Sequence, residues 1–233
     1  MKPYVRSLSS LGVLVLAGCA STGGIALNRG EISRMKDSGT AEIRAITYAP
    51  PAFELLSAKK VAAGSLFGIF GAVASANSMQ KAGQEMIAAY SIADPSITVR
   101  EKLADALASE FGLKSSADSA PATEDLTALQ GRFGSGAILD TRTIAWRLVY
   151  YPKDWSHHFL VYTVRARLRR LSDGKVLWQG KCVRKLTDSK DSRRTIDQFR
   201  VNNGELLKQK AQEAGGGCAD ELIAGLSVKA TPP

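Results

Sequence analysis

The chain is poor in the residues that most often carry metal binding and catalysis. It has two histidines and three cysteines in 233 residues. No Cys/His spacing suits zinc, so no metal is expected. The histidines, His157 and His158, are adjacent. On a strand they point to opposite faces and make a poor metal pair, so a surface or turn role is expected. Gly134-Ser135-Gly136 lacks the pattern of a nucleophile elbow. Gly131, Gly134 and Gly136 are not followed by Gly-Lys-Ser/Thr and make no phosphate loop. The carboxylates are scattered, and none stands out as half of a general acid/base pair. These absences argue for a protein that is not an enzyme and needs no cofactor.

What is present begins at the amino terminus. Lys2 and Arg6 supply positive charge, and Leu8 to Ala17 an apolar stretch too short to span a bilayer. Leu16-Ala17-Gly18-Cys19 closes it. This resembles the lipobox of bacterial lipoproteins processed by signal peptidase II. The resemblance implies removal of residues 1–18, acylation of Cys19 and a mature chain of Cys19 to Pro233. Ala20 follows the cysteine where an aspartate would favour inner-membrane retention. In a Gram-negative cell this favours the periplasmic face of the outer membrane.

Lys and Arg number 31 against 22 Asp and Glu, a formal charge of +9. An exported protein does not meet the genome, so nucleic acid is discounted. Lipid headgroups, lipopolysaccharide, peptidoglycan carboxylates or an acidic protein remain as partners, beside plain solubility. Once Cys19 is set aside for lipid, Cys182 and Cys218 are an even pair in an oxidising compartment. They are expected to form a disulfide, the alternative being two buried thiols.

Residues 19–40, rich in Ser, Thr, Gly and charge, read as a tether. Ile43, Ile46 and Tyr48 mark a first strand ended by Pro50-Pro51. Residues 61–80 carry no charge, and three readings stay open. They form a buried core element, an apolar docking surface presenting Leu66, Phe67, Ile69 and Phe70, or a membrane-inserting segment diluted by Ser, Asn and Gln. A helix is expected from Asp94-Pro95, with Thr98 to Glu101 as a capping box. Val99, Leu103, Leu107 and Phe111 form its apolar stripe, and Gly112 its stop. Strands are expected over Gly136–Tyr151, Phe159–Arg170 and Val176–Lys185. In the first, Ile138, Ile144, Trp146, Leu148 and Tyr150 share one parity, interrupted by Asp140 and Arg142.

A three-residue turn with Gly174 left-handed would align Trp178, Gly180 and Cys182 with the apolar Val164, Ala166 and Leu168. The opposite face then gathers Arg165, Arg167, Arg169 and Lys181, with Arg147 nearby. Like charges side by side repel, so this basic face suits an anion or an acidic partner. Tyr150, Tyr151, Trp155 and Phe159 surround a hairpin tip. A last helix from about Gly204 turns Cys218 inward, and Gly215 to Gly217 weaken it enough to break it there.

The element order predicts one α+β domain over residues 41–228, an antiparallel meander with helices packed on one face. That order resembles the periplasmic accessory lipoproteins related to the TolB amino-terminal domain, of the LpoB and PqiC type. The resemblance implies a non-enzymatic, membrane-tethered body docking an envelope protein or anionic envelope polymer. The alternative is a lipid-binding auxiliary subunit of an envelope transport system, with the apolar segment lining its groove.

Overall fold

The computed structural model describes residues 24–46, 48–58, 61–62, 68–116 and 122–227. Helix α1 spans Arg29–Asp37. Strands β1 (Glu42–Ile46) and β2 (Glu54–Leu55) follow, then α2 (Gly68–Tyr90) and α3 (Ser96–Phe111). Next come β3 (Lys114–Ser115), α4 (Leu126–Phe133) and the long strands β4 (Ala137–Tyr151), β5 (Asp154–Arg170) and β6 (Val176–Leu186). A short strand β7 (Arg194–Thr195) leads into α5 (Ile196–Ser227).

The strands form one seven-stranded sheet of order β3-β1-β4-β5-β6, with β2 also on β4 and β7 also on β5. The meander β4-β5-β6 is antiparallel, as the sequence predicts. β1, β2 and β3 join it in parallel, because each is separated from its partner by a helix-bearing crossover. The sheet is therefore mixed, within the expected α+β class.

The β5–β6 register is the one that separates apolar from basic residues. Leu168 faces Trp178, Ala166 faces Gly180 and Val164 faces Cys182. The route differs from a three-residue turn. Arg170 and Lys175 close a four-residue loop, with the Arg170 N–H donating to the Lys175 carbonyl at 2.9 Å. A bulge between Leu168 and Arg169 then restores the pairing. Gly174 sits at φ +71°, the left-handed conformation that glycine adopts without steric cost. A second bulge between Thr143 and Ala145 explains the uneven pattern of β4. Leu139 faces inward before it and Trp146 and Leu148 after it, while Ile144 is left exposed.

The inner face of the meander carries the main core. Tyr162, Val164, Ala166 and Leu168 on β5 and Trp178 and Cys182 on β6 are all buried. The expected stripe on α3 packs there too: Val99, Leu103 and Leu107 are fully buried. The helix starts from Asp94 instead of from the Thr98–Glu101 box. The Asp94 carboxylate accepts from the Ser96 N–H at 2.9 Å and from its hydroxyl at 2.7 Å, so Thr98 lies within the helix. Gly112 ends it in the left-handed region, as expected.

Helix α5 buries Leu207, Ala211, Ala214, Cys218 and Leu222. Its break falls at Val201–Gly204, not at Gly215–Gly217. Asn202, Asn203 and Gly204 take positive φ there, which lets Phe199 reach the core ahead of the long helical stretch. Gly215 is instead a contact residue: a Cβ on it would lie 2.9 Å from the Pro95 carbonyl oxygen. Cys182 and Cys218 form the expected disulfide, with Cα atoms 5.5 Å apart.

The tether is shorter than expected. The Ile25 N–H donates to the Gln179 carbonyl at 2.9 Å, and the Gln179 N–H returns a bond at 3.0 Å. Asn28 caps α1 through its side chain, and Leu27, Ile32 and Met35 bury their side chains in the core. Glu31 meets Lys175 at 2.8 Å and also pairs with Arg170, tying α1 to the β5–β6 hairpin. Residues 24–40 are thus part of the body, because three apolar side chains and one buried carboxylate hold them there.

Serine at both Cys182 and Cys218 is expected to lower the unfolding free energy by about 3–4 kcal/mol in the chain-entropy model. A lower urea midpoint with unchanged far-ultraviolet circular dichroism would show it. An unchanged midpoint would mean that packing alone holds α5 to β6.

Candidate functional site

Alternation along β4, β5 and β6 sends odd-numbered β5 residues to the face opposite the core. Their neighbours make regular cross-strand rows. Asp140, Arg167 and Gln179 form one row, and Arg142, Arg165 and Lys181 the next. Ala145, Thr163 and Val183 follow, then Arg147, Val161 and Lys185. The expected basic residues Arg165, Arg167 and Lys181 do share this face, with Arg169 beside them.

Charge along the face is uneven. Asp140 is fully buried and accepts from the Arg167 Nε at 2.8 Å. Arg165 stands 4.0 Å from the same carboxylate. Glu124 reaches Arg142 at 2.9 Å, Arg167 at 3.6 Å and Arg165 at 3.9 Å. The Arg142 guanidinium also lies over the Tyr48 ring, 3.9 Å from its centroid. Burial pushes the Tyr48 phenol above its ordinary value. Two carboxylates therefore answer three arginines within the chain. Helix α4 closes this end of the face, where Leu129 packs with Ile46, Ile138 and Leu171.

Arg169 and Lys181 have no carboxylate partner among the described residues. From Lys181 onward the rows alternate basic, apolar and basic. Lys181, Val183 and Lys185 are all exposed on the edge strand, and Val149, Val161 and Val183 belong to neither buried apolar cluster of the described residues. Arg147 at the far side pairs with Glu54 at 3.3 Å. The site with chemical character is this open half of the face, more than the arginine row as a whole. Asp140 and Arg142, the residues that interrupt the β4 pattern, were the signal for the internal pairing.

The hairpin tip is half packed. Tyr151 lies against Phe159 at 4.8 Å and under the Arg193 guanidinium at 4.1 Å. Trp155 is 69% exposed. The histidines point to opposite sides as expected, but the surface or turn role expected of both fails for His158, which strand β5 carries into the interior. His157 faces Asp154 at 2.7 Å, and with Arg193 it holds that carboxyl below its usual range. His158 is buried, and its Nε2 lies 3.1 Å from the Leu56 carbonyl. Burial pushes its imidazole below the ordinary value.

Among the described residues, two of the cavities are near the lower limit for drug-sized ligands. One of about 300 Å³ lies between α1 and the Gly136 and Arg170 ends of the long strands. The other, about 280 Å³, lies between the start of α3, Tyr48 and Thr141. No group of three metal-ligating side chains occurs among the described residues. Leu66 and Phe67 of the expected apolar surface, and Cys19, lie outside the described residues, as do the Ile69 and Phe70 side chains. Helix α2 buries Met86, while Ala72, Val73 and Ala74 are exposed. Among the described residues no helix is long and apolar enough to cross a membrane.

No family model matches the chain, and no curated protein matches it. Solved structures share parts of its path. The dodecameric PelC of Paraburkholderia phytofirmans aligns with a TM-score of 0.33 and 10% identity, over 90% of this chain and 96% of its own. The lipoprotein GNA1162 of Neisseria meningitidis gives 0.29 and 17% identity, over 78% of this chain and 97% of its own. A Caulobacter crescentus CB15 protein provisionally classed as a lipoprotein gives 0.32 and 15%, over 87% and 100%. At these scores the likeness lends no weight to any function.

Arg167→Ala leaves the buried Asp140 charge without its closest partner and is expected to cost roughly 3–5 kcal/mol. Arg169→Ala removes no ion pair and should stay within about 0.5 kcal/mol. Urea denaturation of the two variants checks the contrast. For His158 the folded protein favours the neutral ring, and the unfolded ring titrates near about 6.5. Its contribution to stability is then complete above that value and declines as the pH falls below it. The urea midpoint should drop between pH ~7.5 and ~5.5 around that value, and by less in His158→Gln.

Proposed function

We propose that the chain is a lipid-anchored, non-catalytic accessory protein of the bacterial envelope. Cys19 holds it at the periplasmic face of the outer membrane, and the open half of its sheet docks an anionic envelope partner. The observation that carries this reading is Leu16-Ala17-Gly18-Cys19 at the end of a charged-then-apolar leader, a few residues before the body starts. Lys181, Val183 and Lys185 support the docking part, being exposed, the two lysines having no carboxylate partner among the described residues. The resemblance of the element order in the sequence to the TolB-type accessory lipoproteins is a further ground for an accessory role. Anchoring raises the effective concentration of such a surface near membrane partners without strengthening any contact.

Metabolic labelling with a palmitate analogue should mark the protein, and Cys19→Ser should abolish the mark. Globomycin, which blocks signal peptidase II, should accumulate the uncleaved precursor. A chain that matures unlabelled and insensitive to globomycin would end this reading.

A further inference from the structure

The body begins pairing with itself almost at once. Ile25 is hydrogen-bonded to Gln179 on β6, the outermost strand of the meander. Only five residues separate Ile25 from Cys19, and the six Cα–Cα steps between them reach ~20 Å when fully extended. A lipid on Cys19 therefore holds the Gln179 end of the β6 edge within that distance of the bilayer, and Lys181, Val183 and Lys185 follow from that end along the strand. A twenty-residue tether would have let the body turn freely, but this leash does not.

The edge it holds there has a defined chemistry. The Gln179 N–H and C=O point away from β5, so those of Lys181, Val183 and Lys185 point the same way. No described backbone segment pairs with them. Their side chains stand exposed on the open face as a basic, an apolar and a basic group. The carboxylate nearest this edge from the packed helix, Glu221, is engaged by Arg184 at 3.2 Å. Lysines on an edge strand also discourage pairing with another chain's strand, which argues against a second copy as the occupant.

We infer that the Lys181–Val183–Lys185 edge of β6 rests on anionic lipid headgroups of the membrane that holds Cys19. The inference rests on the anchoring reading and names the anionic partner of the same surface. The two lysines lie over phosphate groups, and Val183 meets the interface between them. The lipid and the edge are two weak attachments that fix orientation together.

The acylated mature protein, reconstituted in vesicles of phosphatidylethanolamine and phosphatidylglycerol, tests it by lysine acetylation footprinting. Lys181 and Lys185 should lose reactivity about fivefold relative to detergent solution, the Boltzmann factor for one lysine at an anionic surface. Lys81, exposed on α2, should not change. Protection should vanish in phosphatidylcholine vesicles and in salt near 1 M, where the screening length falls to about 3 Å. Acylated protein whose two lysines react as freely on anionic vesicles as in detergent overturns the inference and leaves the anchoring intact. Protection that appears only in native outer membranes also overturns it, assigning the edge to an acidic protein. Absence of the acyl group in the starting protein overturns both.

Discussion

Burial of one face of the β4–β5–β6 meander under α3 and α5 is the constraint on which the remainder depends. Strand residues alternate sides, so committing Tyr162, Val164, Ala166 and Leu168 to the core obliges Thr163, Arg165, Arg167 and Arg169 to face outward. The register at Val164 and Cys182 then places a sulfur under α5, where Cys218 meets it. A slip of β6 by one residue would bury Gln179 and Lys181, expose Trp178 and turn Cys182 away from Cys218. The bulge beside Arg169 and the left-handed Gly174 keep that slip from occurring.

The outward face has its own internal accounting of charge. Asp140 and Glu124 neutralise most of the arginine row near α4, so that region is a structural cluster. Among the described residues, charge without an internal answer is left at Lys181, Lys185 and Arg169. The distinction between a basic face and a free basic edge is what decides where a partner can act. Arg167 belongs to the cluster, and substituting it tests stability more than binding.

Much of this was legible in the residues. The stripe Val99-Leu103-Leu107-Phe111, the three long strands and the hairpin register follow from periodicity and polarity, and the cysteine pair from an even count once Cys19 is set aside. Features set by tertiary contact were not. Residues 29–37 look like tether by composition, but Glu31 is secured by Arg170 and Lys175, which lie some 140 positions away. Gly215 to Gly217 look like a break, yet Gly215 is the surface through which α5 touches Pro95. The parallel pairing of β1 with β4 joins segments separated by three helices, and no local pattern announces it. For the candidate site, the shared face of Arg165, Arg167 and Lys181 was readable from alternation. The counter-ions were not, because Glu124 comes from a loop whose position depends on α4.

The short N-terminal bridge between Ile25 and Gln179 also has a mechanical meaning. Any pull delivered through residue 19 enters the body at β6. From there it passes through the Cys182–Cys218 bond directly into the terminal helix. A load entering there meets a strand and a helix that are covalently riveted together before it can work on the rest of the sheet.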